Sequence, residues 1–385
     1  MFYRTPLGWL QLRHRPMRLV VAICGVMFAN LLMFMQFGFL GSLIQTTVQL
    51  QSHLIGDIVI SSTSGRQLQG IGTVPRRRLL QSLAVPGVRD MTEVYSGLID
   101  WINPTTGKTA NLTVIGIDPE VPVFLDPDID AQRFKLRTLG SALMDRRARG
   151  DWSAVIRSVE AGGVLTTEIS GRQARVEGLF SMGATFGADG TLIVSRETFL
   201  SFTGARSAGA VSFGLVRLAP GVDPGATVEA LRTVLAYEDT KVETMAEFLA
   251  SHKRFLAQDS PVSFVFRTGA FIGLLVGAAI VYQILYADVN EHMSEYAMLK
   301  SLGYSHGYLL GVVCEQAAIL AVLGYLPSLA AAAAVYAVVA QATALPLVLT
   351  FDRAANVFAL TCLMCAVSGA LATRRLRAAD PADIF

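Results

Sequence analysis

Four apolar stretches of this chain are long enough to cross a bilayer, and their spacing is lopsided. The first runs from Leu19 past Leu43, with no Asp, Glu, Lys or Arg until Asp57. The other three crowd the C-terminal third, at Thr268–Ala287, Leu309–Val339 and Ala354–Thr373. A helix rises about 1.5 Å per residue, so ~20 apolar residues cross the hydrocarbon core. A polar stretch of domain size separates the first span from the second. The expected fold class is an α-helical membrane protein with four transmembrane helices and an inserted extracytoplasmic α+β domain.

The pattern divides the chain as follows. A cytoplasmic amphipathic segment covers 1–16, the first span 17–43 and a stalk 44–56. The α+β domain of two lobes covers 57–241, and a stalk helix 242–264 leads to the second span at 265–287. A cytoplasmic loop covers 288–308, the third span 309–340, a short outer loop 341–353, the fourth span 354–373 and a cytoplasmic tail 374–385.

Charge is segregated. Only 16% of residues are charged and 52% are hydrophobic, against about 25% charged in an average soluble chain. From Asp57 to Arg267 there are 23 basic and 23 acidic residues, so the large domain offers no bulk basic surface for nucleic acid. The basic excess flanks the spans, with Arg4, Arg13, Arg15 and Arg18 before the first and Arg374, Arg375 and Arg377 after the last. The positive-inside rule then puts both termini in the cytoplasm and the large domain outside. The first span is too long for a signal peptide and Met33–Phe39 offers no small-residue cleavage site, so a retained anchor is expected.

Within the large domain, Asp57–Ser62 alternates as a strand, Pro75–Leu83 reads as a helix, and Val88–Asp100 and Asn111–Gly116 as strands. Asp118–Asp130, rich in Pro and Asp, reads as a loop. Gly163–Thr167, Gln173–Gly178, Thr191–Ser195 and Ala210–Leu218 read as strands and Glu197–Phe202 as a short helix. Asp223 caps a helix over Pro224–Leu235, and Val242–Gln258 reads as an amphipathic helix returning to the membrane.

Sites for enzymatic chemistry are not found. No phosphate-binding G-x-x-x-x-G-K motif, no H-E-x-x-H and no G-x-S-x-G occurs. His14, His53, His252, His292 and His306 are scattered without ligand spacing. Asp126, Asp128 and Asp130 alternate like the start of a calcium loop but lack its glycine and distant glutamate, so a solvated acidic turn is the better reading. All four cysteines, Cys24, Cys314, Cys362 and Cys365, lie in spans, where packing is the expected role. No metal, cofactor or catalytic residue is expected.

Three features in and near the membrane carry the functional reading. Gly269, Gly273 and Gly277 share one helix face and invite close approach of another helix, within the chain or from a second copy. Glu315 lies inside the third span near its cytoplasmic end, where a structural polar contact is favoured over a proton relay. In the 288–308 loop, Glu291 and Glu295 share a face with Leu299, Lys300 lies beside them, and Gly303 is a natural helix stop. A short helix with two acids and protruding Tyr296 and Leu299 suits docking on another protein; a solvated loop helix is the plainer alternative.

The run Glu295-Tyr296-Ala297-Met298-Leu299-Lys300-Ser301-Leu302-Gly303-Tyr304 resembles the Glu-Tyr-Ala-x-Leu-Lys-x-(Ile/Leu)-Gly-(Tyr/Phe) signature of MacB/FtsX-type ABC transporter permeases. The resemblance covers the whole layout and extends to Glu315-Gln316, Gly324-Tyr325-Leu326-Pro327 and Asp380-Pro381-Ala382-Asp383-Ile384. The Leu31–Phe39 run and Arg76-Arg77-Arg78-Leu79 look closest to the DevC-like exporter branch. The resemblance implies a MacB-like permease homodimer in the bacterial inner membrane, with a separate ABC ATPase docked on a coupling helix. That helix would use Glu291, Glu295, Tyr296, Leu299, Lys300, Leu302 and Gly303. It also implies nucleotide-driven motion of a periplasmic domain and export of hydrophobic or lipid-like cargo through a periplasmic adaptor. An FtsX-like scaffold that activates a cell-wall hydrolase is the alternative.

Overall fold

The computed structural model describes residues 7–14, 16–63, 72–204 and 209–373. Arg4, Arg15, Arg374, Arg375, Arg377 and the Asp380–Ile384 motif lie outside the described residues. The chain divides into two compact units, one drawn from Met1–Gly41, Pro261–Val339 and Leu347–Phe385, the other from Ser42–Ser260 and Ala340–Pro346.

The first unit is a helical bundle. Helix α1 (Leu7–His14) precedes α2 (Pro16–Ser52), whose 37 residues make it about 55 Å long, well beyond the ~30 Å hydrocarbon core. The other long helices are α9 (Pro261–Glu291), α11 (His306–Thr343) and α12 (Phe351–Ala372). These three and α2 are each long and apolar enough to span a membrane. Lipid offers no hydrogen bonds to a bare backbone, so such stretches must be helical. Leu12, Ala22, Val26, Val281, Leu285, Ala317, Leu320, Met364 and Cys365 form the bundle core. Deeper in the spans, Asn30 on α2 donates from Nδ2 to Ser328 Oγ (3.3 Å) on α11 and accepts from Thr361 Oγ1 (2.7 Å) on α12.

The second unit is built on one nine-stranded sheet. Its strands are β1 (Ile58–Ser62), β3 (Val88–Ile102), β4 (Thr109–Ile117), β5 (Ser141–Asp145), β6 (Leu165–Ile169), β7 (Arg172–Phe180), β8 (Gly190–Ser195), β10 (Phe213–Leu218) and β11 (Thr240–Thr244). A separate pair joins β2 (Val74–Pro75) to β9 (Ala210–Val211). The order β11-β1-β10-β3 is wholly antiparallel. With α3 (Arg76–Ser82) between β1 and β3, and α7 (Pro224–Val234) between β10 and β11, it has the β-α-β-β-α-β ferredoxin-like topology. Everything from β4 to β9 is inserted between the second and third strands of that motif.

Strand β3 belongs to both halves. Val88–Val94 pairs with β10, and Tyr95–Ile102 pairs with β4 on the other edge. The sheet continues β4-β8-β5-β7-β6 and curls until Ile169 meets Trp101 of β3. Trp101 and Trp152 stack inside this turn of sheet at 4.7 Å. Alternate residues feed two apolar layers, Leu112, Val114, Leu192 and Val194 on one face and Ile115, Ile117 and Ile193 on the other. The two lobes read from the sequence therefore share a strand and a continuous sheet.

Local chemistry sets the boundaries. Asp223 Oδ2 accepts from Ala226 N–H (2.9 Å) and Pro224 opens α7. Ser170 and Gly171, both at positive φ, make the two-residue turn between β6 and β7. Three sequence expectations need correction. The Asp118–Asp130 loop ends early, because Asp126 accepts from Asp128 N–H (2.9 Å) and caps α4 (Pro127–Gln132). Strand β5 and helix α5 (Ser153–Glu160) arise where the sequence suggested no element. Residues 242–244, expected to open a stalk helix, complete β11. The helix α8 (Met245–Arg254) starts only at the Thr244–Glu247 capping box. It then passes into a π-turn at Phe255–Asp259, so Val242–Gln258 is not one regular helix.

Candidate functional site

The turn between α9 and α11 carries most of the residues singled out in the sequence. Helix α9 ends at Glu291, and after His292 the short helix α10 (Met293–Ser301) follows. Gly303 sits at φ 89° and closes it, with Gly303 N–H bonded to Lys300 O and Tyr304 N–H to Leu299 O, both at 3.1 Å. Only a residue without Cβ enters that conformation cheaply.

Burial splits α10 into two faces. Tyr296 and Ala297 are buried, Tyr296 at 2% exposure, against Val289, Leu309 and Val313. Leu299 is half-buried on the same cluster. The protruding Tyr296 and Leu299 expected from sequence are thus inward residues. The outward face is made of Glu295, Met298 and Leu302, with Tyr304 beyond the stop; Leu302 is 70% exposed. An inward position every three to four residues leaves 295, 298 and 302 on the opposite side. The amphipathic pattern was present, but an aromatic residue suits either face. Burial, with the Asp288 carboxylate adding to it, pushes the Tyr296 phenol up to about 12.

Beneath α10 lies a polar junction the sequence reading did not isolate. Gln316 of α11, fully buried, donates from Nε2 to Asp288 Oδ2 (2.7 Å) of α9 and to Gln11 Oε1 (3.0 Å) of α1. Tyr296 O–H donates to the same Gln11 oxygen (3.3 Å). His292 Nδ1 lies 3.0 Å from Asp288 O and 3.6 Å from its Oδ1. Glu291 is ion-paired with Arg18 near the start of α2. The available signal was a Gln and an Asp embedded in or abutting apolar runs, where polar groups persist only with partners. Glu315 is half-buried and makes no hydrogen bond or ion pair among the described residues. The polar contact expected of it is made instead by the next residue, Gln316.

The glycine face packs inside the chain. A Cβ on Gly269 would lie 2.5 Å from Gln36 Nε2, one on Gly273 3.4 Å from Leu32 Cβ, and one on Gly277 2.3 Å from Met364 Sδ of α12 and 2.7 Å from Ala29 Cβ. All three thus meet α2. Of the acidic turn, Asp126 caps α4 and Asp130 pairs with Arg133 (2.8 Å). No group of three or more His, Cys, Asp or Glu with ligand geometry occurs among the described residues. Cys365 is buried and the other three thiols are exposed on their helices; all are unbridged. The turn around α10 therefore exposes one carboxylate, Glu295, beside the apolar side chains of Met298, Leu302 and Tyr304.

No curated protein matches the chain. Among solved structures, it is similar to the periplasmic region of MacB from Actinobacillus actinomycetemcomitans, at 12% identity and a TM-score of 0.34, over 52% of this chain and 94% of that one. It is similar to the extracellular domain of the noncanonic ABC-type transporter YknZ from Gram-positive bacteria, at 12% identity and a TM-score of 0.30, over 44% and 89%. A domain of a putative permease protein from Porphyromonas gingivalis gives 20% identity and a TM-score of 0.31, over 49% and 89%. Residues 267–381, which include α10, the polar junction's Asp288, Tyr296 and Gln316, and the last three spans, match the family model described as FtsX-like permease C-terminal. The C-terminal part of the chain, which holds three of its four candidate spans, is thus similar to an FtsX-like permease domain.

Proposed function

We propose that the chain is the transmembrane subunit of an ABC exporter and that α10 is its coupling helix. The observation that carries this reading is the outward face of α10, where Glu295, Met298, Leu302 and Tyr304 are exposed on a helix whose other face is anchored. Exposed apolar side chains around one acid form a small patch of the kind that marks a partner surface. The match of this segment to an FtsX-like permease model supports the same reading. In it, ATP hydrolysis belongs to a separate ATPase, and the chain works as a homodimer in the bacterial inner membrane with both termini cytoplasmic. The inserted domain lies in the periplasm, where nucleotide-driven motion passes hydrophobic or lipid-like cargo to an adaptor, as in the DevC-like branch.

The test is Glu295→Lys in the full-length chain. Coupling of ATPase activity to transport should fall while the protein stays in the membrane. Wild-type coupling in that variant would sink the assignment. The family match fits a second reading equally well, a scaffold that activates a cell-wall hydrolase. Co-purification separates the two: an adaptor in the complex supports export, a hydrolase supports the scaffold.

A further inference from the structure

Helix α1 has eight residues and α10 has nine, each too short to hold its shape alone in water. Their positions must come from packing. Helix α1 is seated tightly on α11, because a Cβ on Gly8 would lie 3.0 Å from Val312 O and 3.1 Å from Gln316 N. Leu12, one turn on, is part of the bundle core. Between them Gln11 uses one oxygen to accept from both Gln316 Nε2 and Tyr296 O–H. Gln316 in turn holds Asp288, so α1, α9, α10 and α11 meet through one connected set of polar groups. In a low-dielectric interior such a set is stiff when satisfied and costly when broken.

We infer that Gln11 is a positioning residue for α10, and that α1 is part of the apparatus that presents α10 to the ATPase rather than only a helix resting on the membrane surface. The inference rests on α10 being the docking helix. A displacement of α1 is passed to α10 through the shared Gln11 oxygen, because Tyr296 is buried and its hydroxyl bonds Gln11. Glu291 and Arg18 tie the other end of the same turn to α2, so it is held from both sides.

The experiment uses the full-length chain with the ATPase that co-purifies with it. Backbone hydrogen exchange and transport per ATP are measured for Gln11→Ala, Gly8→Leu, Tyr296→Phe and the Gln11→Ala/Tyr296→Phe pair. Exchange across 293–303 is expected to quicken at least fivefold in Gln11→Ala, with α12 unchanged and coupling reduced several-fold. Gly8→Leu, which lifts α1 without touching Gln11, should do the same. Because Gln11 acts through Tyr296, the double variant should be no worse than Gln11→Ala alone. Unchanged exchange at 293–303 in both α1 variants would overturn the inference. So would strictly additive effects, or faster exchange throughout the spans, which would mark a general loss of bundle stability. Faster exchange at 293–303 with wild-type coupling would keep the α1–α10 link and overturn the docking role of α10 instead.

Discussion

Tyr296 offers the sharpest separation of packing from polar contact. Its side chain is almost wholly buried among Val289, Leu309 and Val313, and its hydroxyl makes one 3.3 Å bond to Gln11. Tyr296→Phe removes only that bond, a cost of about 0.5–1.5 kcal/mol, since the Gln11 oxygen keeps its bond from Gln316. Tyr296→Ala removes the ring as well, and emptying a buried aromatic site costs about 3–5 kcal/mol. A helix of nine residues has no comparable reserve of its own. At about 1.4 kcal/mol per tenfold, the alanine variant should shift the docked-to-undocked balance by roughly 100- to 4,000-fold, the phenylalanine variant by roughly 2- to 10-fold. The phenol is held protonated at neutral pH, its pKa pushed up to about 12, so loss of charge does not enter the comparison. Hydrogen exchange across 293–303 in the full-length protein reads the effect directly. Equal exchange in the two variants, or an alanine variant within twofold of wild type, would refute the claim that ring burial holds α10.

Two further outcomes are expected. Gly277→Leu places a branched side chain where even a Cβ would lie 2.3 Å from Met364 Sδ of α12 and 2.7 Å from Ala29 Cβ of α2, so α9 must move away from these neighbours. Overpacking of about 1–3 kcal/mol or more should lower the thermal midpoint in detergent, and an unchanged midpoint would mean that this face looks at lipid. His252 on α8 is buried, which lowers its pKa, and its Nε2 has no partner among the described residues. Below about pH 6.5 the unfolded chain binds this proton and the folded one resists it, so stability is present above that pH and falls on acidification, by at most ~1.4 kcal/mol per pH unit. Comparing thermal unfolding at pH 7.5 and 5.5 with a His252→Phe variant checks this, since the variant should lose that part of the acid sensitivity.

Much of this protein was legible without coordinates because the relevant physics is local. Lipid forces a bare backbone into helix, so an apolar run of sufficient length announces a span wherever it lies. Alternation marked β1, Gly-containing turns bounded β8, and the Asp223-Pro224 pair marked the start of α7, because side-chain direction, turns and capping act within a few residues. Gly303 as a helix stop belongs to the same class.

What remained hidden depends on residues distant in sequence. Nothing near β3 says that its first half pairs with β10 and its second with β4, or that Ile169 closes the curl on Trp101. The glycine face of α9 signalled close approach, but only the bundle decided that the approaching helices are α2 and, at Gly277, α12 of the same chain. Gln11, Asp288, Tyr296 and Gln316 are spread over four helices and became one junction only when those helices packed. The sequence by itself determined the spans, the caps and the alternating strands, since each is settled by backbone and neighbours. Tertiary structure alone decided which face of α10 is inward, because an amphipathic nine-residue helix takes its orientation from whatever surface buries it.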